Sequence, residues 1–209
     1  MRVEELLPAG LEKLGMSASA RQLEQLERFR LELERWNRVY GFVKAEGADL
    51  VIRHFLDCLA AWPTLHRLEP LGEILDVGSG AGFPGIPLAV FLPDSRLTLL
   101  ERSTKRAAFL RNACVLLGLG NAGVREAQLQ EVDDRFDLVT FRAFSPLDRE
   151  LPRLRDRVAP GGRIAAYKGR RDRLEEEILA AGLAAAEVEI RPLEVPFLPE
   201  ERHLVLICP

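Results

Sequence analysis

The chain has 209 residues, of which 47% are hydrophobic, and this is enough for one globular domain with an additional segment. Its formal net charge is −3 at pH 7, so it lacks the overall basic balance that is common among proteins that bind nucleic acids. No apolar run approaches the about 18 residues that span a bilayer, the three cysteines form no Cys-x-x-Cys pair and the three histidines are scattered, so we expect a cytoplasmic protein with no membrane segment and no metal site.

The first part of the chain is predicted to be helical. Residues Ala20 to Tyr40 carry apolar side chains every three or four positions, with charged residues between them, and this spacing indicates an amphipathic helix. A break follows over residues 41–47, and a second helix is expected from Ala48 to Leu65. We therefore interpret residues 1–70 as an N-terminal helical cap on a main domain of residues 71–209.

The most informative motif lies between a short apolar strand and the start of a helix. It reads Asp76-Val77-Gly78-Ser79-Gly80-Ala81-Gly82-Phe83-Pro84-Gly85, and its alternating glycines allow a sharp turn close to a ligand. Phe83 stands where a dinucleotide fingerprint requires its third glycine, and the Gly-Lys-Ser/Thr of a P-loop is missing. What remains is an acid, Asp76, followed by Gly78, Gly80 and Gly82, and it is similar to the first motif of class I S-adenosylmethionine methyltransferases. A carboxylate suits the positive charges of that cofactor; the alternative is a glycine-rich turn that binds no ligand.

A second acidic residue supports this interpretation. Glu101 ends the predicted second strand, at the distance of about 20 residues where dinucleotide folds place an acid on the ribose hydroxyls. A carboxylate can accept hydrogen bonds from two neighbouring hydroxyls at once. Glu101 is therefore predicted to bind the ribose of the cofactor, and the alternative is an exposed acid that caps the helix from Lys105 to Leu117.

From residue 71 onward, strand patterns alternate with helix patterns. Strands are predicted at residues 73–77, 97–101, 122–126, 136–141 and 162–168, and helices at 85–92, 104–117, 146–158 and 171–181. This alternation indicates an α/β fold with a doubly wound, Rossmann-like parallel sheet. Val188 to Val195 and Leu204 to Cys208 follow with no helix between them. The last two of seven strands are therefore predicted to form an antiparallel hairpin at the sheet edge, which resembles the class I methyltransferase sheet.

Ligands of an open parallel sheet bind beyond the carboxyl ends of its strands, and this rule points to Arg142 and Lys168. The fourth strand is not followed by the Asp/Asn-Pro-Pro-aromatic motif of amino-group methylation, nor by a cysteine nucleophile for carbon five of cytosine. An acceptor atom that already offers a lone pair, such as guanine N7, needs neither. Arg142 or Lys168 could then hold guanine O6 or a flanking phosphate. The alternatives are an ion pair of Arg142 with a nearby acid and an ordinary surface position for Lys168.

Positive charge is concentrated late in the chain. The segment from Arg149 to Arg173 contains nine arginine and lysine residues and only three acids. Such clustering creates a patch that attracts phosphate groups, and the alternative is a solvated helix face with ordinary surface arginines.

Several segments together resemble the GidB (RsmG) family over residues 20–209. The stretch from Leu75 to Ala89, with its Phe83-Pro84-Gly85-Ile86-Pro87 extension, is similar to the family signature. Its other motifs are resembled by Arg53-His54-Phe55-Leu56-Asp57, Phe136-Asp137-x-Val139-x-x-Arg142-Ala143, Lys168-Gly169 and Glu201-Arg202-His203-Leu204-Val205. The family consists of guanine-N7 methyltransferases of bacterial 16S ribosomal RNA.

The resemblance implies S-adenosyl-L-methionine as the cofactor and ribosomal RNA of the small ribosomal subunit as the partner, and we expect the protein to be a monomer. It places Gly78 and Phe83 in the cofactor pocket and makes Arg142 a site residue. Gln128-Leu129-Gln130 aligns with the segment that contacts the adenosine. The expected catalytic residues are Arg142 and Lys168, and the expected cofactor-binding residues are Asp76, Gly78, Gly80, Gly82, Phe83, Glu101, Leu129, Gln130 and Arg142.

Three positions depart from the family pattern. Gly41-Phe42-Val43 stands where the family commonly has Asn-Leu-Thr, Cys58 replaces a serine, and Gln130 replaces an acid. These departures leave two alternatives open: a methyltransferase that acts on a small molecule or a protein, and a non-catalytic cofactor-binding protein of ribosome assembly.

Overall fold

The structure is a computed structural model, and it describes residues 2–68, 70–143 and 147–208. Its strands are β1 (Glu73–Val77), β2 (Arg96–Leu100), β3 (Ala122–Arg125), β4 (Phe136–Arg142), β5 (Val158–Lys168), β6 (Val188–Leu193) and β7 (Arg202–Ile207). Its helices are α1 (Val3–Lys13), α2 (Ala20–Tyr40), α3 (Gly47–Leu50), α4 (Asp57–Leu59), α5 (Trp62–Leu65), α6 (Gly85–Phe91), α7 (Thr104–Leu117), α8 (Leu147–Arg155) and α9 (Arg171–Ala180). The predicted start of a helix at residue 146 lies outside the described residues.

All seven strands belong to one sheet, in the order β3-β2-β1-β4-β5-β7-β6. Strands β1 to β5 run parallel, and β7 pairs antiparallel with both β5 and β6. The doubly wound α/β fold with a closing antiparallel hairpin is therefore confirmed. The last strand is inserted beside β5, so β6 rather than β7 forms the edge of the sheet.

Capping residues, glycine and proline account for where the N-terminal helices begin and end. The Ser19 hydroxyl accepts a hydrogen bond from the Gln22 amide at 3.2 Å at the start of α2, and Gly41 ends this helix in a left-handed conformation with φ +61°. The helix predicted from Ala48 to Leu65 is helical from α3 through α4 and is then interrupted at residues 60 and 61 before α5. Pro63 lies at the start of α5, where its missing N–H cannot continue the preceding hydrogen-bond ladder.

A π-helical segment, Val51–Leu56, joins α3 to α4. It carries Arg53 and His54, which the sequence analysis associated with a family motif. Helical segments of this type are rare, and they recur at functional sites because the wider turn redirects side chains.

A cluster of buried aromatic rings connects the N-terminal helices to the sheet domain. The ring centroid of Phe29 on α2 lies 5.3 Å from Phe55, 5.3 Å from Phe83 after the glycine turn and 6.3 Å from Phe109 on α7. We call Phe29, Phe55, Phe83 and Phe109 the aromatic cluster. The N-terminal helices thus pack directly against the elements that position the glycine turn, and a domain boundary between residues 70 and 71 stays a prediction.

Candidate active site

The glycine turn between β1 and α6 is held in place by the end of the neighbouring strand. The amides of Gly78 and Ser79 both donate to the Leu100 carbonyl of β2, at 2.9 and 3.0 Å. Gly78, Gly80 and Gly82 have φ values of +68°, +58° and +91°, a left-handed backbone that other residues adopt only with strain. The turn therefore needs glycine at these positions for its backbone path.

Glu101 ties this turn to the start of α7. One carboxylate oxygen accepts from the Gly80 amide at 2.9 Å and the other from the Ser103 amide at 2.8 Å. The side chain is buried rather than exposed. Each oxygen accepts one hydrogen bond from the backbone and retains a further lone pair, so the carboxylate can still receive hydroxyl donors from a ligand.

A cavity of about 420 Å³ lies over the glycine turn at the carboxyl ends of the strands; we call it the turn cavity. Four of the predicted cofactor-binding residues line it, namely Gly78, Glu101, Leu129 and Gln130. The remaining lining residues that carry charge are Arg102, Arg106, Glu150 and Arg153. The turn cavity therefore combines a glycine-bordered floor with carboxylate, amide and guanidinium groups.

Asp76 does not line the turn cavity. Its side chain is fully buried beneath the turn, where one carboxylate oxygen accepts from the Gly85 amide at 3.0 Å. The other oxygen has no hydrogen-bond partner among the described residues. Burial is the main cause that raises the pKa of Asp76 to about 7. The structure thus places this carboxylate where it supports the turn from below.

Gly80, Gly82 and Phe83 also lie outside the walls of the turn cavity. A Cβ atom on Gly82 would lie 2.7 Å from the Cδ1 atom of Ile86, so this position needs glycine for packing as well as for its backbone path. The Phe83 ring is buried in the aromatic cluster. These three residues shape the turn, and the Phe83 side chain lies in the core.

A second cavity, of about 640 Å³, opens beyond β4 and β5; we call it the arginine cavity. Arg142 and Lys168, the two predicted catalytic residues, both line it. Ala143 lines this cavity and the turn cavity alike, and it has a positive φ of +51°, which is unusual for a residue other than glycine. The two cavities are therefore neighbours that meet at the end of β4.

Arg142 is held by several acceptors. Its Nη1 donates to the Arg53 carbonyl and to the Asp57 carboxylate, both at 2.9 Å, and its Nη2 lies 2.6 Å from His54 Nδ1. The other oxygen of Asp57 accepts from Arg202 Nε at 2.8 Å. The ion pair that the sequence analysis left open for Arg142 is present, and it links β4 and β7 to the N-terminal helices.

His54 is a neutral hydrogen-bond acceptor in this arrangement. Burial, followed by the nearby charges of Arg142 and Arg53, lowers the pKa of His54 to about 3. The imidazole therefore stays uncharged near neutral pH, and its Nδ1 lone pair can accept from Arg142. No group of histidine, cysteine and carboxylate side chains in the described part of the chain is arranged to hold a metal ion.

Lys168 forms a close ion pair at the end of β5. Its Nζ lies 2.6 Å from a carboxylate oxygen of Glu177 on α9, and 5.6 Å from the ring centroid of Phe141. The Lys168 side chain is only 12% exposed, so it is not the surface residue that the sequence allowed as an alternative.

Sequence reasoning assigned no role to Asp57, Glu177 and Arg202, although all three line the arginine cavity. Asp57 and Arg202 lie in segments that carry the family resemblance, and this resemblance was the signal by which they could have been assigned to the site. Glu177 sits in an acidic run of α9, where nothing in the local pattern distinguishes it from Glu175 and Glu176.

The cations near the two cavities differ in their pairing. Within the segment Arg149 to Arg173, carboxylates lie within 4 Å of Arg153, Arg155, Lys168 and Arg171, among others. By contrast, Arg102, Lys105 and Arg106 around the start of α7 form no ion pair within residues 2–68, 70–143 and 147–208. Arg149, Arg163 and Arg173 likewise form no ion pair among these described residues, so positive charge that no carboxylate neutralises lies both in this segment and beside the turn cavity. Across the same residues, no helix is both long and apolar enough to cross a membrane.

Comparison with known families identifies one match over most of the chain. The family described as GidB, rRNA small subunit methyltransferase G, matches residues 22–205. A protein named ribosomal RNA small subunit methyltransferase G from Ralstonia nicotianae is 38% identical, with 97% of this chain and 94% of the relative aligned. A protein of the same name from Halorhodospira halophila is 42% identical over 92% of this chain and 88% of the relative.

Solved structures share the fold at low sequence identity. A putative O-methyltransferase from Klebsiella pneumoniae superposes with a TM-score of 0.64 at 18% identity, over 97% of this chain and 96% of that one. The tRNA (m1A58) methyltransferase TrmI from Aquifex aeolicus gives a TM-score of 0.56 at 10% identity, over 73% and 69% of the two chains. These similarities agree with the strand order described above.

Proposed function

The chain belongs to the GidB family of small-subunit rRNA methyltransferases, and we propose that it transfers a methyl group from S-adenosyl-L-methionine to N7 of a guanine in the RNA of the small ribosomal subunit. The observation that carries the proposal is the meeting of two cavities at Ala143, one over the glycine turn and one beside Arg142 and Lys168. A donor and an acceptor bound in adjoining cavities lie near each other, and such proximity is a main requirement for a transfer reaction.

The turn cavity fits the proposed cofactor. Gly78 leaves the cavity floor free of a side chain, and the remaining lone pairs of Glu101 can accept from the two ribose hydroxyls. Gln130 offers an amide in place of the family's acid, and an amide can both donate to and accept from an adenine ring. We assign contact with the cofactor to Gly78, Glu101, Leu129 and Gln130, and we assign support of the turn to Asp76, Gly80, Gly82 and Phe83.

When bound, S-adenosylmethionine supplies a methyl group on a sulfonium: the N7 lone pair forms the new nitrogen–carbon bond while the carbon–sulfur bond breaks, and its electron pair stays on sulfur. N7 carries no proton, so the chain needs no general base for this step. This agrees with the arginine cavity, where the described carboxylates Asp57 and Glu177 are engaged with cations and His54 accepts from Arg142. The work of the side chains is then to orient the guanine, which can supply about 7–11 kcal/mol of the barrier reduction.

The remaining parts of the proposal concern location and assembly. We propose that the protein acts in the cytoplasm as a monomer on the small ribosomal subunit or its RNA. Arg102 and Lys105 around the start of α7 are exposed and form no ion pair with another described residue, which supports contact with a phosphate backbone.

The test is methyl transfer from isotopically labelled cofactor to small subunits from a strain that lacks the gene, followed by nucleoside analysis of the RNA. We expect label in 7-methylguanosine, and we expect this nucleoside to decrease in small-subunit RNA of the deletion strain. An unchanged amount in that strain would contradict the proposed target. Calorimetry with the cofactor tests the non-catalytic alternative, because a folded protein that binds the cofactor but transfers no label would be a non-catalytic cofactor-binding protein of ribosome assembly.

A further inference from the structure

The Lys168–Glu177 pair lies in the wall of the arginine cavity, beside the proposed position of the guanine. Lys168 is the last residue of β5, and Glu177 faces it from α9 with 2.6 Å between Nζ and Oε2. The same Oε2 atom accepts from the Leu147 amide at 3.3 Å. The pair is thus fixed at the cavity wall by contacts from two directions.

Both members of the pair keep unused hydrogen-bonding capacity. An ammonium group has three donors, and Glu177 takes one of those on Lys168. A carboxylate has about four acceptor positions, and Oε1 of Glu177 has no hydrogen-bond partner within the part of the chain that the structure describes. The wall therefore presents donors next to acceptors.

The carboxylate beside Arg142 has less capacity left for a base. Asp57 accepts from Arg142 Nη1 with one oxygen and from Arg202 Nε with the other, and Arg142 also contacts the Arg53 carbonyl and His54. Of the two cations predicted for guanine O6, Lys168 is thus the one whose carboxylate partner keeps an unbonded oxygen among the described residues.

The pattern of this wall complements one base. The Watson–Crick edge of guanine presents the O6 acceptor, then the N1–H donor, then the N2 amino donor, and enzymes that act on an extruded base commonly read this edge. Adenine and cytosine carry an amino group where guanine carries O6, so a donor of the base would face the donors of the Lys168 ammonium. Uracil offers O4 and N3–H, but its O2 would face the carboxylate.

We propose that Lys168 and Glu177 select guanine, with the ammonium donating to O6 and the carboxylate accepting from N1–H and the N2 amino group. This inference rests on the proposed function and specifies how the same site chooses its base. N7 lies on a different edge of the ring, so recognition along the Watson–Crick edge leaves its lone pair free to react.

The test compares two versions of the target base in two versions of the protein. Small subunits are reconstituted with RNA in which the methylated guanosine, located by nucleoside mapping, is either kept or replaced by inosine. Inosine lacks only the N2 amino group, so its O6, N1–H and N7 remain. We expect the wild-type protein to methylate the guanosine substrate about 10- to 100-fold more efficiently in kcat/KM, the range expected for a hydrogen bond to a charged group.

The variant Glu177→Gln decides whether this preference comes from the carboxylate. We expect it to lose more in kcat/KM on the guanosine substrate, where the charged acceptor serves both N1–H and the N2 amino group, than on inosine, where it serves N1–H alone, so the preference for guanosine should narrow by about 10-fold or more. Its affinity for the cofactor by calorimetry should stay within about twofold. Glu176→Gln is the matched control, because Glu176 is exposed one position earlier on the same helix, and it should retain the wild-type preference.

Two outcomes would overturn the inference. Equal wild-type rates on guanosine and inosine would do so without any variant, provided that the guanosine substrate is methylated. An unchanged preference in Glu177→Gln would show that the pair only positions α9. Failure of the wild-type protein to methylate either RNA would instead count against the proposed function itself.

Discussion

Arg142 occupies the most heavily bonded position of the candidate site. One guanidinium contacts a carboxylate, an imidazole and a backbone carbonyl, and it lies over the Phe83 ring with 5.3 Å between Cζ and the ring centroid. A planar fork of five donors can satisfy such a set, whereas an ammonium group cannot reproduce its geometry. The residue therefore fixes the arginine cavity relative to the glycine turn.

We predict that Arg142→Ala retains the cofactor but loses turnover. Arg142 lines the arginine cavity and not the turn cavity, so the dissociation constant for the cofactor should stay within about twofold. Misplacement of the guanine should slow methyl transfer on the order of 100-fold. Calorimetry and single-turnover rates measure the two effects separately.

The control for this variant is Arg35→Ala, because the Arg35 side chain is 81% exposed on α2. It should change neither quantity. An equal loss of cofactor affinity and of turnover in Arg142→Ala would show that the arginine binds the cofactor instead.

We predict that the contribution of Asp76 to the stability of the protein falls as the pH rises, which is opposite to the usual effect of an aspartate. Its pKa is raised on folding, so the folded state holds a proton that the unfolded state releases. The contribution of Asp76 to the free energy of unfolding therefore falls as the pH rises from 3.8 to about 7. Asp76→Asn removes this dependence, and its stability relative to wild type should increase over that range. Urea unfolding of both proteins at several pH values is the measurement, and a difference that does not vary with pH would contradict it.

Helix α7 begins with positive charge, against the usual preference. Lys105 and Arg106 lie in its first turn, which contains no acidic residue, although the helix dipole favours anions at this end. Lys105 lies 5.7 Å from the Tyr40 ring centroid. An arrangement that costs stability is explained if these cations meet the phosphates of the RNA.

We predict that Lys105→Gln weakens binding to RNA and leaves the stability of the protein nearly unchanged. Removal of one cation from the first turn should add about 0.3–1 kcal/mol to the free energy of unfolding, and loss of the contact with the Tyr40 ring should subtract about 0.5–1 kcal/mol. The dependence of RNA affinity on salt should become shallower by about one ion released. Chemical unfolding and filter binding at several salt concentrations provide the two measurements.

Arg21→Gln is the matched control for this prediction. Arg21 is an exposed cation in the first turn of α2, which also has no acid, and it lines neither cavity. It should show the gain that the helix dipole gives without the change in RNA binding. The same loss of RNA affinity in both variants would mean that only total charge matters.

At the scale of elements, the sequence predicted the segments whose signals are local. The glycine turn was recognised because three left-handed positions require glycine, and α7 was predicted over 104–117 as observed. By contrast, β5 was predicted to begin at residue 162 and begins at Val158, which pairs with Phe136 on β4. When a strand is extended by pairing with a strand elsewhere in the chain, its own hydrophobic pattern does not predict the extension.

In the candidate site, too, the residues with local sequence signals were predicted and the residues placed by tertiary packing were not. Gly78 and Glu101 were found because each stands at a fixed position after a strand. Asp57 was not assigned a role, because it is 85 residues from Arg142 and 145 residues from Arg202 along the chain. Ion pairs over such separations are set by tertiary packing, which a single sequence does not display.

At the scale of the whole molecule, the aromatic cluster predicts that the N-terminal helices and the sheet unfold together. Phe29 is fully buried among rings from both regions, so Phe29→Ala should cost about 3–5 kcal/mol. The transition should remain single when followed by the fluorescence of the two tryptophans, Trp36 and Trp62, and by far-UV circular dichroism.

Leu31→Ala is the matched control on the same helix, because Leu31 is 52% exposed. It should change the free energy of unfolding by no more than about 0.5 kcal/mol. Two separate transitions in Phe29→Ala would show that residues 1–70 form an independent unit.

The shared wall at Ala143 has a thermodynamic consequence. Two ligands that both contact Ala143 become coupled when the binding of either one displaces this residue, because the displacement alters the affinity for the other. Equilibrium linkage makes this influence reciprocal: if RNA tightens the hold on the cofactor by some factor, the cofactor tightens the hold on RNA by that same factor.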